Sequence, residues 1–201
     1  MKKQFLFLAM CIATVLSANA QTSVWDGSHT TWTKGAGTQA NPYLIENAAQ
    51  LAHLAYVVNN GIGADSERIV GANTYWKLTT NIDLKGSESF QWTPIGGDYN
   101  PYIDYYAFGG NFDGNGHTIN NLFINTTNTQ YSRVGLFGYS NGASIKGIGI
   151  NSSVIITDNG SVIGGGCAGG IIGVAEITII DNCFNMGNIS TSSFYSCTGG
   201  K

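Results

Sequence analysis

The spacing of hydrophobic residues changes twice along this chain. Residues 5–16 form an almost unbroken apolar stretch behind Lys2 and Lys3. Near residue 50 the apolar positions take a helical spacing: Leu51, Leu54, Ala55 and Val58 fall at i, i+3, i+4 and i+7, one stripe of a helix. Asn47 stands where an N-cap acceptor belongs, Gln50 follows three residues on, and Asn59-Asn60-Gly61 supplies a left-handed stop. The pattern predicts a helix over 47–59. From Tyr75 the period drops to two, as in Tyr75-Trp76-Lys77-Leu78 and Ile82-Asp83-Leu84, and short strands alternate with Gly and Asn.

The strands repeat. Ile119-Asn120-Asn121-Leu122-Phe123-Ile124, Ile145-Lys146-Gly147-Ile148-Gly149-Ile150 and Ile180-Asp181-Asn182-Cys183-Phe184-Asn185 read alike. Between them, Val134-Gly135-Leu136-Phe137-Gly138 matches Gly169-Gly170-Ile171-Ile172-Gly173, and Cys197-Thr198-Gly199-Gly200 echoes Cys167-Ala168-Gly169-Gly170. A unit of this size with two short strands and Gly/Asn corners cannot bury its apolar side alone. Stacked on copies of itself, it forms parallel sheets around a dry interior. The expected fold is therefore all-β: a right-handed parallel β-helix (β-solenoid) with an N-terminal capping α-helix, the hand following from the rule for parallel crossovers. Ile119, Ile145 and Ile180 are expected to form one inner column, and Leu122, Ile148 and Cys183 another. The expected organisation is a signal peptide over 1–20, a lead-in and capping helix over 21–74, and coils over 75–201, with the pattern breaking off inside a further repeat.

Composition fits that picture and narrows the function. The chain has 201 residues, 28 of them Gly and only 3 Pro, with 10% charged residues and a net charge of −3. Such a chain has no basic face for nucleic acid. The apolar stretch at 5–16 is too short to span a bilayer, and Ala18-Asn19-Ala20 reads as a leader-peptidase site, so export is expected with no transmembrane span in the mature chain. Export permits disulfides, and Cys167, Cys183 and Cys197 remain after the leader, with the pairing open.

The residues Gly135-Leu136-Phe137-Gly138, their copy at 169–173, and Phe112-Asp113-Gly114-Asn115-Gly116-His117-Thr118-Ile119 resemble the GLUG-motif proteins. The lead-in Asn41-Pro42-Tyr43-Leu44-Ile45 is similar to the segment that often precedes those repeats. The resemblance implies an exported, repeat-built surface protein of Bacteroides-type bacteria, related in kind to adhesin-like proteins. Its motif is structural and brings no catalytic residues with it.

Candidate chemistry is sparse. Asp113-Gly114-Asn115-Gly116-His117 has the look of a calcium loop, but His117 stands where an oxygen ligand is needed, Thr118 at the glycine position and Ile124 in place of the bidentate Glu, so a tight Asx turn is expected and no metal or other cofactor. His29, His53 and His117 are scattered in sequence, and His53 is expected to be a packing or exposed histidine rather than a ligand. Neither G-x-S-x-G nor H-E-x-x-H occurs. A polysaccharide lyase or glycosidase on the same coil would need clustered acids, and the repeats hold few: Asp113, Asp158, Glu176 and Asp181. The best binding candidate is the aromatic run before the repeats, with Tyr99, Tyr102, Asp104, Tyr105 and Tyr106, whose amphipathic rings suit a glycan or a host or matrix protein. The expected function is a non-enzymatic, cell-surface or secreted adhesin-like module, with a structural spacer and a carbohydrate-active enzyme as alternatives. Its open C-terminal coil is expected to allow association.

Overall fold

The computed structural model describes residues 25–97, 106–126, 133–157, 166–191 and 196–198. Through these residues the chain winds as a parallel β-solenoid of about four turns. It opens with β1 (Tyr43–Ile45), α1 (Ala48–Asn59) and β2 (Ile69–Val70). The next turn brings β3 (Tyr75–Leu78), β4 (Ile82–Asp83) and β5 (Ala107–Phe108). A fuller turn follows with β6 (Asn111–Asp113), β7 (Thr118–Asn120), β8 (Leu122–Asn125), β9 (Arg133–Val134) and β10 (Phe137–Asn141). The same five positions recur in β11 (Ser144–Lys146), β12 (Gly149–Ile150), β13 (Ser153–Thr157), β14 (Gly166–Ala168) and β15 (Ile172–Glu176). The last coil holds β16 (Ile179–Asp181), β17 (Phe184–Asn185), β18 (Asn188–Thr191) and β19 (Ser196–Thr198).

Each position builds its own parallel sheet. The longest is the five-stranded sheet β1-β3-β6-β11-β16. The first rung is thus laid down at Tyr43, inside the segment expected as lead-in, and α1 is an insertion in the first turn.

The expected columns need one correction. Ile145 does pair with Ile180, but its neighbour on the other side is Phe112, which in turn pairs with Trp76. Ile119 belongs to a different sheet, between Ile82 and Ile150, and Leu122 lies opposite Ser153. The cause is a corner pattern that recurs within one coil. A single left-handed residue turns the chain at Asn121 (φ 53°), between β7 and β8, as another does at Gly147 (φ 62°), between β11 and β12, so Ile119-Asn120-Asn121-Leu122 and Ile145-Lys146-Gly147-Ile148 read alike while lying at different corners. The corner equivalent to that of Gly147 lies between Phe112 and Ile119 and is two residues longer than the one between Ile145 and Ile150. The spine itself is dry: Trp76, Phe112 and Ile145 are buried, as are Ile119 and Ile150 and the next pair, Ile124 and Ile155.

The corner carrying the extra residues is the Asx turn. Asp113 Oδ1 accepts from the Asn115 N–H at 2.8 Å, and the Gly116 N–H donates to the Gly147 carbonyl at 2.9 Å. Later coils make the same corner with one left-handed residue each, Gly147 at φ 62° and Asn182 at φ 50°.

Helix α1 forms where its stripe predicts. Asn47 Oδ1 accepts from the Gln50 N–H at 2.9 Å, and Gln50 Oε1 accepts from the Glu46 N–H at 2.7 Å, one residue earlier than a capping box requires. Leu51, Leu54, Ala55 and Val58 are buried against the first turn of the solenoid. Cys167 is disulfide-bonded, and the ladder sets the backbone of Cys197 opposite it. Cys183 is a free thiol. Burial pushes its pKa up.

Candidate functional site

Of the predicted tyrosine cluster, Tyr99, Tyr102, Asp104 and Tyr105 lie outside the described residues. Tyr106 is described, and it packs. Its ring covers Gly61 at the end of α1, where φ is 63° and a Cβ would come within 2.2 Å of the ring. The loop that ends at Tyr106 therefore returns beside the C-terminus of the capping helix.

That end of the helix forms one wall of a groove of about 240 Å³. Trp25 and His29 of the lead-in, Tyr56 and Asn60 of α1, and Gln91 and Trp92 line it. The floor is built by two buried indoles, Trp25 and Trp92, with ring centroids 5.8 Å apart. Both spend their N–H groups on backbone carbonyls, Trp25 on Ser28 at 2.8 Å and Trp92 on Leu136 at 3.0 Å. Trp76 is buried as well, so these three tryptophans serve packing.

The rim is less ordinary. The exposed face of α1 presents Tyr56, and the His29 ring stacks on it at 4.0 Å with planes 16° apart. His29 also points Nδ1 at Nδ1 of His53, 3.2 Å away. The imidazole centroids are 5.3 Å apart with planes 23° from parallel, so the rings meet edge to edge, one nitrogen donating to the other. His53 does pack, with Trp32 edge-on at 4.7 Å, but it has a histidine neighbour that the sequence hid. Burial first, and the nearby His29 second, hold the His53 pKa below its usual value. Among the described residues no group of three or more His, Cys, Asp or Glu converges in a metal-binding arrangement.

A second surface runs along the outer face of the long sheet. Alternation within each strand turns Lys77, Asp113, Lys146 and Asp181 outward, and the register stacks them in that order, one per coil. Lys146 Nζ lies 3.5 Å from Asp113 Oδ2. This alternating column was invisible in the sequence because its members are more than thirty residues apart. It also separates two of the acids considered for a glycosidase: Asp113 and Asp181 sit two rungs apart with a lysine between them. A third acid, Glu176, accepts a hydrogen bond from the Tyr139 hydroxyl at 2.8 Å.

The chain is similar to two larger proteins. It shares 31% identity over 177 residues with a protein described as a Gly-rich membrane protein of Evansella cellulosilytica, a match covering 86% of this chain and 18% of that one. With a halomucin of Haloquadratum walsbyi it shares 29% identity over 178 residues, covering 81% of this chain and 2% of the relative. The chain thus spans less than a fifth of either. No protein-family model and no solved structure matches it. Among the described residues no helix is long and apolar enough to cross a membrane.

Proposed function

We propose that this chain is an exported, non-enzymatic β-solenoid module of the GLUG-motif kind, acting at or outside the bacterial envelope as an adhesin-like surface element. The observation that carries the reading is the solenoid itself, a stack of rungs with outer faces lined by Asn, Ser, Thr and paired opposite charges. Such a surface is built to present area. The descriptions of the relatives, a membrane protein and a halomucin, agree with a place at the cell surface. The leader over 1–20 supplies the route of export.

The ligand of this module is a glycan or a host or matrix protein, held at the aromatic groove of the N-terminal cap. Tyr56 and His29 offer a stacked, partly exposed aromatic surface, the kind of face on which a sugar ring or an apolar side chain rests. Asn60 and Gln91 stand on the same rim with amide groups. The candidate residues Tyr99, Tyr102, Asp104 and Tyr105 precede Tyr106, whose ring packs on Gly61 at the end of α1, in sequence.

The test is a screen of residues 21–201 against a glycan array and a panel of matrix proteins, followed by Tyr56→Ala and the double change Tyr102→Ala/Tyr105→Ala on any hit. Binding weakened about tenfold or more, with unchanged circular dichroism, supports the groove. Hits unaffected by both variants remove the groove from the reading, and a screen without hits counts against the adhesin role.

A further inference from the structure

We propose that the outer face of the long sheet binds a linear glycan in which an acidic sugar alternates with a neutral one, one sugar unit per coil. This second site builds on the reading of the module as a glycan binder, yet it shares no residue with the groove at the cap. The cavity on this face is about 550 Å³, against about 240 Å³ at the cap. Its bed is three neighbouring rungs, with Tyr75 and Lys77 of β3, Asn111 and Asp113 of β6, and Ser144 and Lys146 of β11. The lead-in borders it through a closed turn before Pro42, in which the Thr38 N–H donates to the Asn41 carbonyl at 3.2 Å and the Asn41 N–H to the Thr38 carbonyl at 3.1 Å.

Two features of this bed state what fits it. The first is its step. Neighbouring rungs are about 4.8 Å apart. An extended chain of pyranose units advances by nearly the same step per unit, so a glycan lying along the stack presents one sugar to each rung. The second is the order of charges. The outward column reads Lys77, Asp113, Lys146. A sugar bearing a carboxylate is favoured over each lysine. Over the aspartate the favoured sugar carries only hydroxyl or amide groups, which donate hydrogen bonds to it.

The two lysines are not equivalent. Lys146 Nζ lies 3.5 Å from Asp113 Oδ2, in an exposed pair. Lys77, on the other side of Asp113, has no carboxylate within ion-pair distance among the described residues. Its ammonium is therefore the main anchor for an acidic group. Beside this column, Tyr75, Asn111 and Ser144 stand in register and offer hydroxyl and amide groups to the hydroxyls of successive sugars. The chain carries a net charge of −3, so a polymer with an acid at every unit is repelled as a whole and also sets a carboxylate against Asp113. The alternating polymer avoids that contact and keeps both lysines.

A fluorescent hexasaccharide of unsulfated chondroitin, acidic at every second sugar, is titrated into the full chain and followed by anisotropy. Hexagalacturonate, acidic at every sugar, and the chitin hexasaccharide, neutral throughout, serve for comparison. Saturable binding of the alternating probe is expected, tighter than that of either comparison and weakened by salt. Lys77→Gln should weaken it about fivefold and Lys146→Gln about threefold. Asp113→Asn keeps the acceptor for the Asn115 N–H, so it should leave the alternating probe bound while erasing its advantage over hexagalacturonate, a change that a merely structural role would not produce. Tyr56→Ala, at the cap, should change nothing. No saturable binding of the alternating probe, binding indifferent to both lysine changes, or binding lost on Tyr56→Ala would each overturn the proposal. Array hits lost on Tyr56→Ala would in those cases leave the glycan-binding role of the module standing. Sedimentation as a dimer that Lys77→Asp dissolves would overturn the proposal too, because a second copy would then hold the face.

Discussion

The two ends of the solenoid are made of similar residues in opposite circumstances. At the N-terminal end Leu51, Leu54 and Val58 are fully buried, because a helix and a strap of lead-in lie over the first turn. At the C-terminal end Ile180 stands in the same inner column as Ile145 and is exposed, with the outward-facing Ile179 and Phe184 exposed beside it. The difference teaches that a rung does not bury its own side chains; the rung after it does. Stability in such a stack is the sum of interfaces between neighbours, and a terminal rung has only one.

That contrast can be broken most forcefully in the spine. Phe112→Ala, with neighbours above and below, is expected to cost about 3–5 kcal/mol, while Ile180→Ala in the last coil should cost well under about 2 kcal/mol. Urea denaturation of both variants decides it, and equal losses would show that the last coil is as tightly held as the middle. Next in size is the cap. Asn47→Ala removes the acceptor for the Gln50 N–H and should cost about 1 kcal/mol, loosening the N-terminal end only. Hydrogen exchange that changed equally in β16 would contradict the separation of the ends.

A smaller effect, of opposite sign, is expected at Ile177. This β-branched residue sits in left-handed backbone at φ 48° and is 88% exposed, where the preceding coil has Gly142 at φ 71°. Ile177→Asn relieves the strain at little cost in burial and should stabilise the last coil by about 0.5–1 kcal/mol, read as a rise in urea midpoint. A loss of stability would mean that the isoleucine is held by contacts its exposure does not reveal.

The smallest expected change concerns pH at the capped end. Because His53 has a depressed pKa in the fold, the folded state favours the neutral ring. The contribution is therefore complete above the ordinary histidine value of about 6.5 and is lost as pH falls below it. Charging the His53 ring where it is packed between the lead-in and α1 is costly, so acid should loosen the lead-in from α1. Trp32, which lies against His53 and donates to the Gln50 carbonyl at 3.1 Å, is the natural fluorescent reporter. His53→Gln should flatten the response; an unchanged response would place its origin elsewhere.

Much of the fold was legible along the chain. The helix announced itself through Asn47, its leucine stripe and Gly61, all within fifteen residues, and the structure sets α1 where that pattern ends. The match of Phe137-Gly138 with Ile172-Gly173, and of Cys167 with Cys197, gave true ladder partners. Ile119 was misplaced because two corners of the coil, at Asn121 and at Gly147, carry the same pattern of an aliphatic strand end, a left-handed residue and another aliphatic, and the pattern does not say which corner it turns. The groove was harder. His29 and His53 are twenty-four residues apart with no shared motif, and they meet only because the lead-in crosses α1. The Lys77 to Asp181 column becomes readable once the coil length is known, and not before.

The sequence by itself determined the kind of structure. Period-two runs with Gly and Asn at intervals can bury their apolar faces only by stacking, and a helical stripe of leucines must lie on something greasy. Tertiary structure decided which residue stands above which and where the imidazoles meet. Those are properties of register and closure, set by loop lengths and by the packing of distant segments, and no local pattern of side chains carries them.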